Sequence, residues 1–527
     1  RMEKEGVTLA PDAEKESYNE QFYLYLALTK ASEQVILTYS VMTSKGESKR
    51  PSYLINRVKQ VFPKLVVEKE EMDTSYEKIM GSDKGKSYLI SHLADGSYAK
   101  DVIWWEIASH YEKKTPGILK DLLRIREKRA GNNSLKKEAA KRLFGDVLYG
   151  SVTRFEQYVQ CPFAFFSHYG LLLNERQQYE ISSLDHGNLF HQAMEHLSHE
   201  LEQRNKNWQD LSEEEAVLLA AECVDAVAER YQGRKYFQSN RVSFMLKRLK
   251  NEVVHSVWAM WHQMQEGDFV QTYTEKGFRG SDKEWESMCI PFDEDAKICL
   301  NGVIDRVDLC SLPGEELIKI IDYKSSDSQD LSLAKVYYGL QMQLLTYLEA
   351  AKEMVEKEHK GKEAVPAAML YYAIKEKNLD WKPESEEEYE KRVLDSMKCK
   401  GYVNEEPEII GHLDKSVVNG GELIPGQKSG VVPVAVDKKG LLKKNSGALS
   451  TKDFETLIAH TKEKMKECGK AILDGKIEAI PYVYEDNDGC TYCPYGSVCG
   501  HESKKDGVRE MKKMSDDEVW EALYGDD

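Results

Sequence analysis

Hydrophobic positions along this chain change period several times, and each change marks an element. The run Gln21-Phe-Tyr-Leu-Tyr-Leu-Ala-Leu-Thr-Lys-Ala31 predicts a helix, and Gln34-Val-Ile-Leu-Thr-Tyr-Ser40 a strand after it. Residues 61–150 read as mainly helical, with Trp104, Trp105 and Ile107 as their apolar anchors. Leu184 to Leu197 is amphipathic, with Phe190, Ala193, Met194 and Leu197 at helical spacing. Lys297 to Cys310 predicts one β-strand, Pro313-Gly314 a turn, and Leu317 to Lys324 the returning strand of a hairpin. A helix over Tyr337 to Leu348 and a strand over Ala367 to Ile374 follow. Residues 412–450, rich in Gly, Lys and Ser, read as a long hairpin or loop with a strand at Gly430 to Val436. The last residues carry one apolar turn, Val519, Trp520, Leu523 and Tyr524. The alternation of strands and helices points to an α/β protein.

Length and composition constrain this picture. A chain of 527 residues with 41% hydrophobic positions can bury several cores. We divide it into a segment 1–60, a mainly helical connector 61–150, a principal unit 151–500 and a charged tail 501–527. No apolar run approaches the roughly 20 residues of a membrane helix, so no membrane partner is expected. The charged start, Arg1-Met2-Glu3-Lys4-Glu5, is not a secretion signal, and opening on Arg suggests a piece of a longer polypeptide. Ten cysteines at this length do not make a disulfide scaffold. A reducing, cytoplasmic location is therefore expected.

The net charge of −17 argues weakly against a nucleic-acid partner. Charge acts locally, however, and Lys and Arg gather at Lys120 to Arg142, at Lys247, Arg248 and Lys250, and at Lys438, Lys439, Lys443 and Lys444. Taken singly, each cluster is a solvated face. Gly81-Ser-Asp-Lys-Gly-Lys-Ser87 is one residue short of a phosphate loop and follows no apolar strand, so we reject it as one.

Two groups of residues carry chemistry. On the hairpin, Asp322 and Lys324 are two apart and share a strand face, with Asp305 on the paired strand. Two carboxylates can hold Mg²⁺, and a lysine can neutralise an attacked phosphate or orient a water. His191 stands beside the apolar stripe of its helix, and Gln343 and Tyr347 are one turn apart on theirs. The second group is Cys490, Cys493 and Cys499 near the C-terminus, with Cys161 far upstream. Four thiolates suit an iron–sulfur cluster or zinc. The remaining cysteines, Cys223, Cys289, Cys299, Cys310, Cys399 and Cys468, lack ligand spacing and read as buried small hydrophobes.

His191, Gly302 to Asp305, Asp322 to Lys324 and Gln343 to Tyr347 together resemble the RecB-type nucleases of the PD-(D/E)XK superfamily. With the cysteines and the Arg154 to Phe166 segment, the resemblance narrows to the AddB-type subunits of bacterial AddAB helicase–nucleases. It implies a restriction-endonuclease-like core with helical insertions. His191, Asp305, Asp322 and the Tyr323 carbonyl would bind Mg²⁺, and Lys324 would be the catalytic lysine. Cys161, Cys490, Cys493 and Cys499 would hold a [4Fe–4S] cluster that staples the ends of the nuclease domain. Gln21 to Ser40 is similar to the last motif of superfamily 1 helicases, where an arginine reaches the ATP γ-phosphate. Here Lys30 stands in that place and cannot make the same forked contact. The resemblance further implies DNA ends and single strands as substrate, an AddA-type helicase–nuclease partner in a heterodimer, resection of double-strand breaks for homologous recombination, cutting of the 5′-ended strand, and upstream helicase-like domains tied to Chi recognition. The alternatives are a catalytically silent DNA-end-binding or scaffold subunit, and zinc in place of the cluster.

Overall fold

The computed structural model describes the chain apart from residues 1–12, 43–47, 69–81, 96–97, 99–100, 130–133, 176–182, 233–239, 280–284, 294, 325–329, 375–378, 380–384, 486, 502–506 and 526–527. It divides into two compact units, 1–127 and 128–527. Among the described residues no helix is long and apolar enough to cross a membrane.

The first unit is helical: α1 Ala13–Thr29, α2 Tyr53–Val61, α3 Ser82–Asp95, α4 Val102–Lys114 and α5 Ile118–Arg129. Its core gathers Leu89, Leu93, Trp104, Ala108 and Tyr111. Asp101 caps α4 by accepting the Ile103 and Trp104 N–H groups, and the Trp104 indole N–H donates to the Leu89 carbonyl at 2.9 Å. Two sequence expectations meet this unit. Gln34 to Ser40 is irregular rather than a strand, because no neighbouring strand pairs with it among the described residues. The rejected phosphate loop runs into α3 from Ser82, and Gly81 lies outside the described residues.

The second unit runs α6 Lys137–Phe144, β1 Val147–Gly150, α7 Val152–Gln160, α8 Pro162–Phe165, α9 Ser183–Gln203, α10 Glu213–Gln232, α11 Asn240–Gln265, β2 Val270–Phe278, β3 Met288–Pro291, β4 Lys297–Leu300, β5 Gly302–Ser311 and β6 Glu315–Lys324. It continues with α12 Leu333–Tyr337, α13 Gln343–Glu358, β7 Glu363–Ala373, α14 Glu386–Ser396, β8 Lys400–Asn404, α15 Pro407–Leu413, β9 Val418–Asn419, β10 Glu422–Leu423, β11 Ala448–Leu449 and α16 Thr451–Leu473. β12 Tyr482–Tyr484, β13 Asn487–Asp488, α17 Gly496–Cys499, β14 Arg509–Glu510 and α18 Asp516–Tyr524 complete it.

A mixed six-stranded sheet in the order β11-β8-β7-β6-β5-β2 forms its centre. β5 and β6 are the predicted hairpin, antiparallel from Arg306–Ile321 to Ser311–Glu316, and β6 runs parallel to β7. Helices cover both faces, so the middle strands are buried nearly throughout, charged residues included. One core packs Ile304, Val307, Ile318 and Ile320 against α7, α13 and α16; the other packs Leu317, Ile321, Tyr323 and Leu370 against α9, α10 and α11. Each fully buried Leu or Ile there contributes roughly 1.5–3 kcal/mol.

Other expectations need correction. Lys297 to Cys310 is two strands. β4 joins β1 and β3 in a separate sheet, and the chain crosses at Asn301, whose N–H donates to the Gly150 carbonyl at 3.0 Å. Tyr337 to Leu348 is not one helix: α12 stops at Tyr337, Gly339 takes a left-handed φ of +78°, and α13 begins only at Gln343. Gly430 to Val436 forms isolated bridges rather than a strand, Lys428 with Ala435 and Val436 with Leu442, although Val431, Val432, Val434 and Val436 are buried. The surrounding 412–450 stretch is largely loop, with a short β9–β10 hairpin. Cys289 and Cys299 are not separate buried thiols; they face each other across β3 and β4 and form a disulfide. The charged C-terminal stretch contributes to the core, where Val519 of α18 is buried.

Candidate metal and nuclease site

β5 and β6 place Asp305 and Asp322 side by side, both almost wholly buried. Asp305 accepts the Tyr323 backbone N–H at 2.7 Å, which fixes one carboxylate oxygen. Burial, then the Asp322 charge, push the Asp305 carboxyl well above the usual carboxylate range. Burial also raises Asp322, against the pull of Lys324, whose ammonium lies 2.6 Å from it. Two adjacent buried carboxylates with one lysine between them and solvent are a charge arrangement that a cation relieves.

Two residues later on the same face, Lys324 donates to the Gln343 side-chain carbonyl at 3.0 Å and lies over the Tyr371 ring. Gln343 in turn donates to the Tyr347 hydroxyl at 3.0 Å. The helical break before α13 matters here, because it makes Gln343 the first residue of the helix and aims its side chain at the sheet. Gly302 supports this corner: a Cβ there would lie 2.7 Å from the Phe278 ring and 3.2 Å from that of Tyr347.

α9 brings His191 to the same place. Its Nδ1 lies 2.9 Å from Glu275 Oε1 and 3.6 Å from Asp305 Oδ1. Burial works to lower the imidazole pKa, but the Glu275 hydrogen bond and the Asp305 charge outweigh it and raise the value. The ring packs edge-on against Tyr323, and Phe190 beside it does the same. The structure thus brings His191, Asp305, Asp322, Tyr323, Lys324, Gln343 and Tyr347 together. For Tyr323 it shows the N–H in use and a buried ring.

Sequence reasoning missed two carboxylates. Glu275 is on β2, between the Thr274–Arg306 and Lys276–Ile304 pairings and opposite Asp305. Its φ of +47° departs from strand geometry, a strained conformation for a non-glycine residue. With His191 and Asp305 it forms a group whose ligand atoms all lie within 4.8 Å of one another. Three hard or borderline donors of this kind, next to Asp322, fit a small divalent cation. The signal available was an acid on a β-branched and aromatic run, Val270 to Phe278, in the strand that pairs with β5. Glu156 on α7 is the other. Its carboxylate accepts the N–H groups of Met342 and Gln343, and burial pushes it up to about 7 despite these bonds and the nearby Lys324.

The four cysteines lie near one another, although no three of their sulfurs come within 4.8 Å of each other. Cys161 caps the C-terminal end of α7 and packs with Tyr495 and Cys493. None of the four is in a disulfide. Burial raises the Cys161 thiol, and Cys499 and Cys493 raise it further; burial, Asp488 and then the other three thiols push Cys490 up to about 11. Tyr495 ties this segment back to the stretch after α8, donating to the Leu173 carbonyl at 3.1 Å and meeting His168 at 2.8 Å.

Of the basic clusters, Arg248 pairs with Glu252 and Lys250 with Asp225, while Lys438, Lys439, Lys443 and Lys444 stand exposed on the long loop. In the run from Lys120, the side chains of Arg126, Lys128 and Arg129 lie outside the described residues. Lys30 follows the end of α1 and is exposed.

Comparison with known proteins agrees with this geometry. The model of the PD-(D/E)XK nuclease superfamily matches residues 150–500. The B-type subunit of the ATP-dependent helicase/deoxyribonuclease of Lachnoclostridium phytofermentans is 33% identical over 530 residues, which cover 99% of this chain and 44% of that protein. The proteins of the same name from Clostridium perfringens strain 13 and Alkaliphilus oremlandii are 31% and 28% identical, again over 99% of this chain and 45% and 46% of their own lengths. The chain therefore spans a little under half the length of these curated relatives. Site geometry and family match agree, and the chain belongs to the PD-(D/E)XK nuclease superfamily.

Proposed function

We propose that this chain carries the nuclease of a helicase–nuclease subunit that hydrolyses DNA phosphodiester bonds in a metal-dependent reaction. The observation that carries the proposal is the convergence of His191, Asp305, Asp322 and Lys324 at one end of the β5–β6 hairpin, with Gln343 holding the lysine. His191, Asp305 and Asp322, with the Tyr323 carbonyl, would hold Mg²⁺. The ion would supply an acidified water and charge neutralisation at the phosphate. Lys324 would steady the attacking water or the developing charge, Gln343 and Tyr347 would hold it in place beside Asp322, and Glu275 would orient the His191 ring.

Cys161, Cys490, Cys493 and Cys499 would hold a [4Fe–4S] cluster acting as a staple between the ends of the nuclease domain. The names of the relatives support a partner subunit, which we take to be an AddA-type motor, and DNA ends as substrate. Resection of double-strand breaks in the cytoplasm, with cutting of the strand that ends 5′, is the role we assign. The test is Lys324→Ala in the intact protein with its partner, assayed on DNA labelled on the 5′-ended strand. Cleavage should fall by at least about a hundredfold while DNA binding persists, and chelation of Mg²⁺ should stop the wild type. Undiminished cleavage by the variant would remove the lysine from the mechanism.

A further inference from the structure

Glu156 has no part in the reaction as described, yet it is built into it. It sits on α7, five residues before Cys161. Its Oε1 accepts the Met342 N–H at 2.6 Å and the Gln343 N–H at 3.2 Å. These are the first amides of α13, which has no side-chain cap of its own. A helix leaves such amides unpaired unless something outside supplies an acceptor, and a carboxylate is the acceptor its dipole favours. Here the acceptor comes from a different helix.

That helix is itself held. The Tyr158 hydroxyl donates to the Lys476 carbonyl at 3.0 Å. Arg509 donates to the carbonyls of Val159 and Gln160, and the Cys161 N–H closes the last turn on Gln157. α7 is therefore a fixed strut, and Glu156 reaches from it to the residue that grips the lysine. Gln343 uses its backbone N–H for Glu156, its side-chain oxygen for Lys324 and its side-chain nitrogen for Tyr347.

We propose that Glu156 is a positioning residue for the nuclease reaction: it fixes the start of α13, so that Gln343 presents its oxygen to Lys324 beside Asp322. The proposal rests on the nuclease reading above. Glutamine at the same position keeps an acceptor oxygen, whereas alanine does not.

Glu156→Ala and Glu156→Gln should be compared with wild type in the intact protein. Three readouts apply: kcat and KM on end-labelled DNA, Mn²⁺ affinity by calorimetry, and amide hydrogen exchange at Met342 and Gln343. In Glu156→Ala, kcat should fall about a hundredfold, the cost of a misplaced catalytic group. KM and Mn²⁺ affinity should hold, and exchange at the two amides should quicken while that of β5 and β6 does not. Glu156→Gln should restore most of the kcat and the slow exchange. An unchanged kcat in Glu156→Ala overturns the proposal. So does a Glu156→Gln as inactive as the alanine variant, which would mark a proton-transfer group, or a joint loss of Mn²⁺ affinity, which would mark general disruption. If the wild type does not cut, the nuclease reading fails instead, and unaltered exchange at Met342 and Gln343 would then reject the capping role by itself.

Discussion

Back to back with the candidate site, on the other face of β5 and β6, Asp308 sits fully buried between two cations. Arg306 grips it with two donors at 2.7 and 2.9 Å, and Lys319 approaches to 2.8 Å. Burial alone would raise this carboxyl, but the two cations hold it below its usual value of 3.8. Removing one partner of a buried pair strands the others. Asp308→Asn should therefore cost about 3–5 kcal/mol in chemical denaturation. Because the folded value is depressed, the wild-type contribution is present above pH 3.8 and lost as the pH falls toward the folded value. The variant should lack that part of the acid dependence, and a full acid slope in Asp308→Asn would assign it to other carboxylates. For single residues the sequence was informative where residue type and spacing carry the chemistry. Asp305, Asp322, Lys324 and Gln343 could be named because period-two and one-turn spacings survive folding. Glu275 was passed over although its run is strand-like, because its left-handed φ leaves no periodic trace, and Glu156 because its cap is donated to a distant helix.

Among elements, the hairpin was legible because its β-branched runs, Val303-Ile304 and Ile320-Ile321, flank the Pro313-Gly314 turn, and Gly314 does adopt a positive φ of +88° there. Element ends were less legible. The chain leaves one sheet for another at Asn301-Gly302, a turn-type dipeptide between two apolar runs that were read as a single strand. α13 likewise starts late because the chain turns at Gly339, and a helical apolar period on both sides of that turn conceals it. Pairing of β7 with β8 depends on close backbone approach: Gly401 has φ +138°, and a Cβ on it would fall 2.2 Å from the Met369 carbonyl oxygen. Gly401→Ala should destabilise the domain by about 1–3 kcal/mol, measured by denaturant titration, through overpacking at this pairing. Wild-type stability would show that β8 can move away without cost.

For the whole molecule, the proposed cluster on Cys161 and the Cys490 to Cys499 segment would join the two ends of the principal unit, and α7 runs from Cys161 toward the lysine-holding corner. Closing so long a loop would stabilise by about 5 kcal/mol through lost chain entropy. Cys161→Ser should therefore lower the melting temperature together with the visible absorbance of a bound cluster. A variant that loses the absorbance and keeps the wild-type melting curve would reject the staple. Arg509 and Tyr158 already tie these ends by hydrogen bonds, so the staple would complete an assembled junction rather than create it. That Cys490, Cys493 and Cys499 lie together was legible because the three are close in sequence. The Cys289–Cys299 disulfide was not, since it depends on a cross-strand register that spacing does not reveal.

The proposed function turns on Asp322 as an anchor of metal-dependent DNA cleavage. It is tested by cleavage of end-labelled DNA in Mg²⁺ by the intact protein with its partner subunit, wild type against Asp322→Ala. Cutting by the wild type and none by the variant at this site is the expected result. Equal cutting by both would contradict it and place the reaction elsewhere.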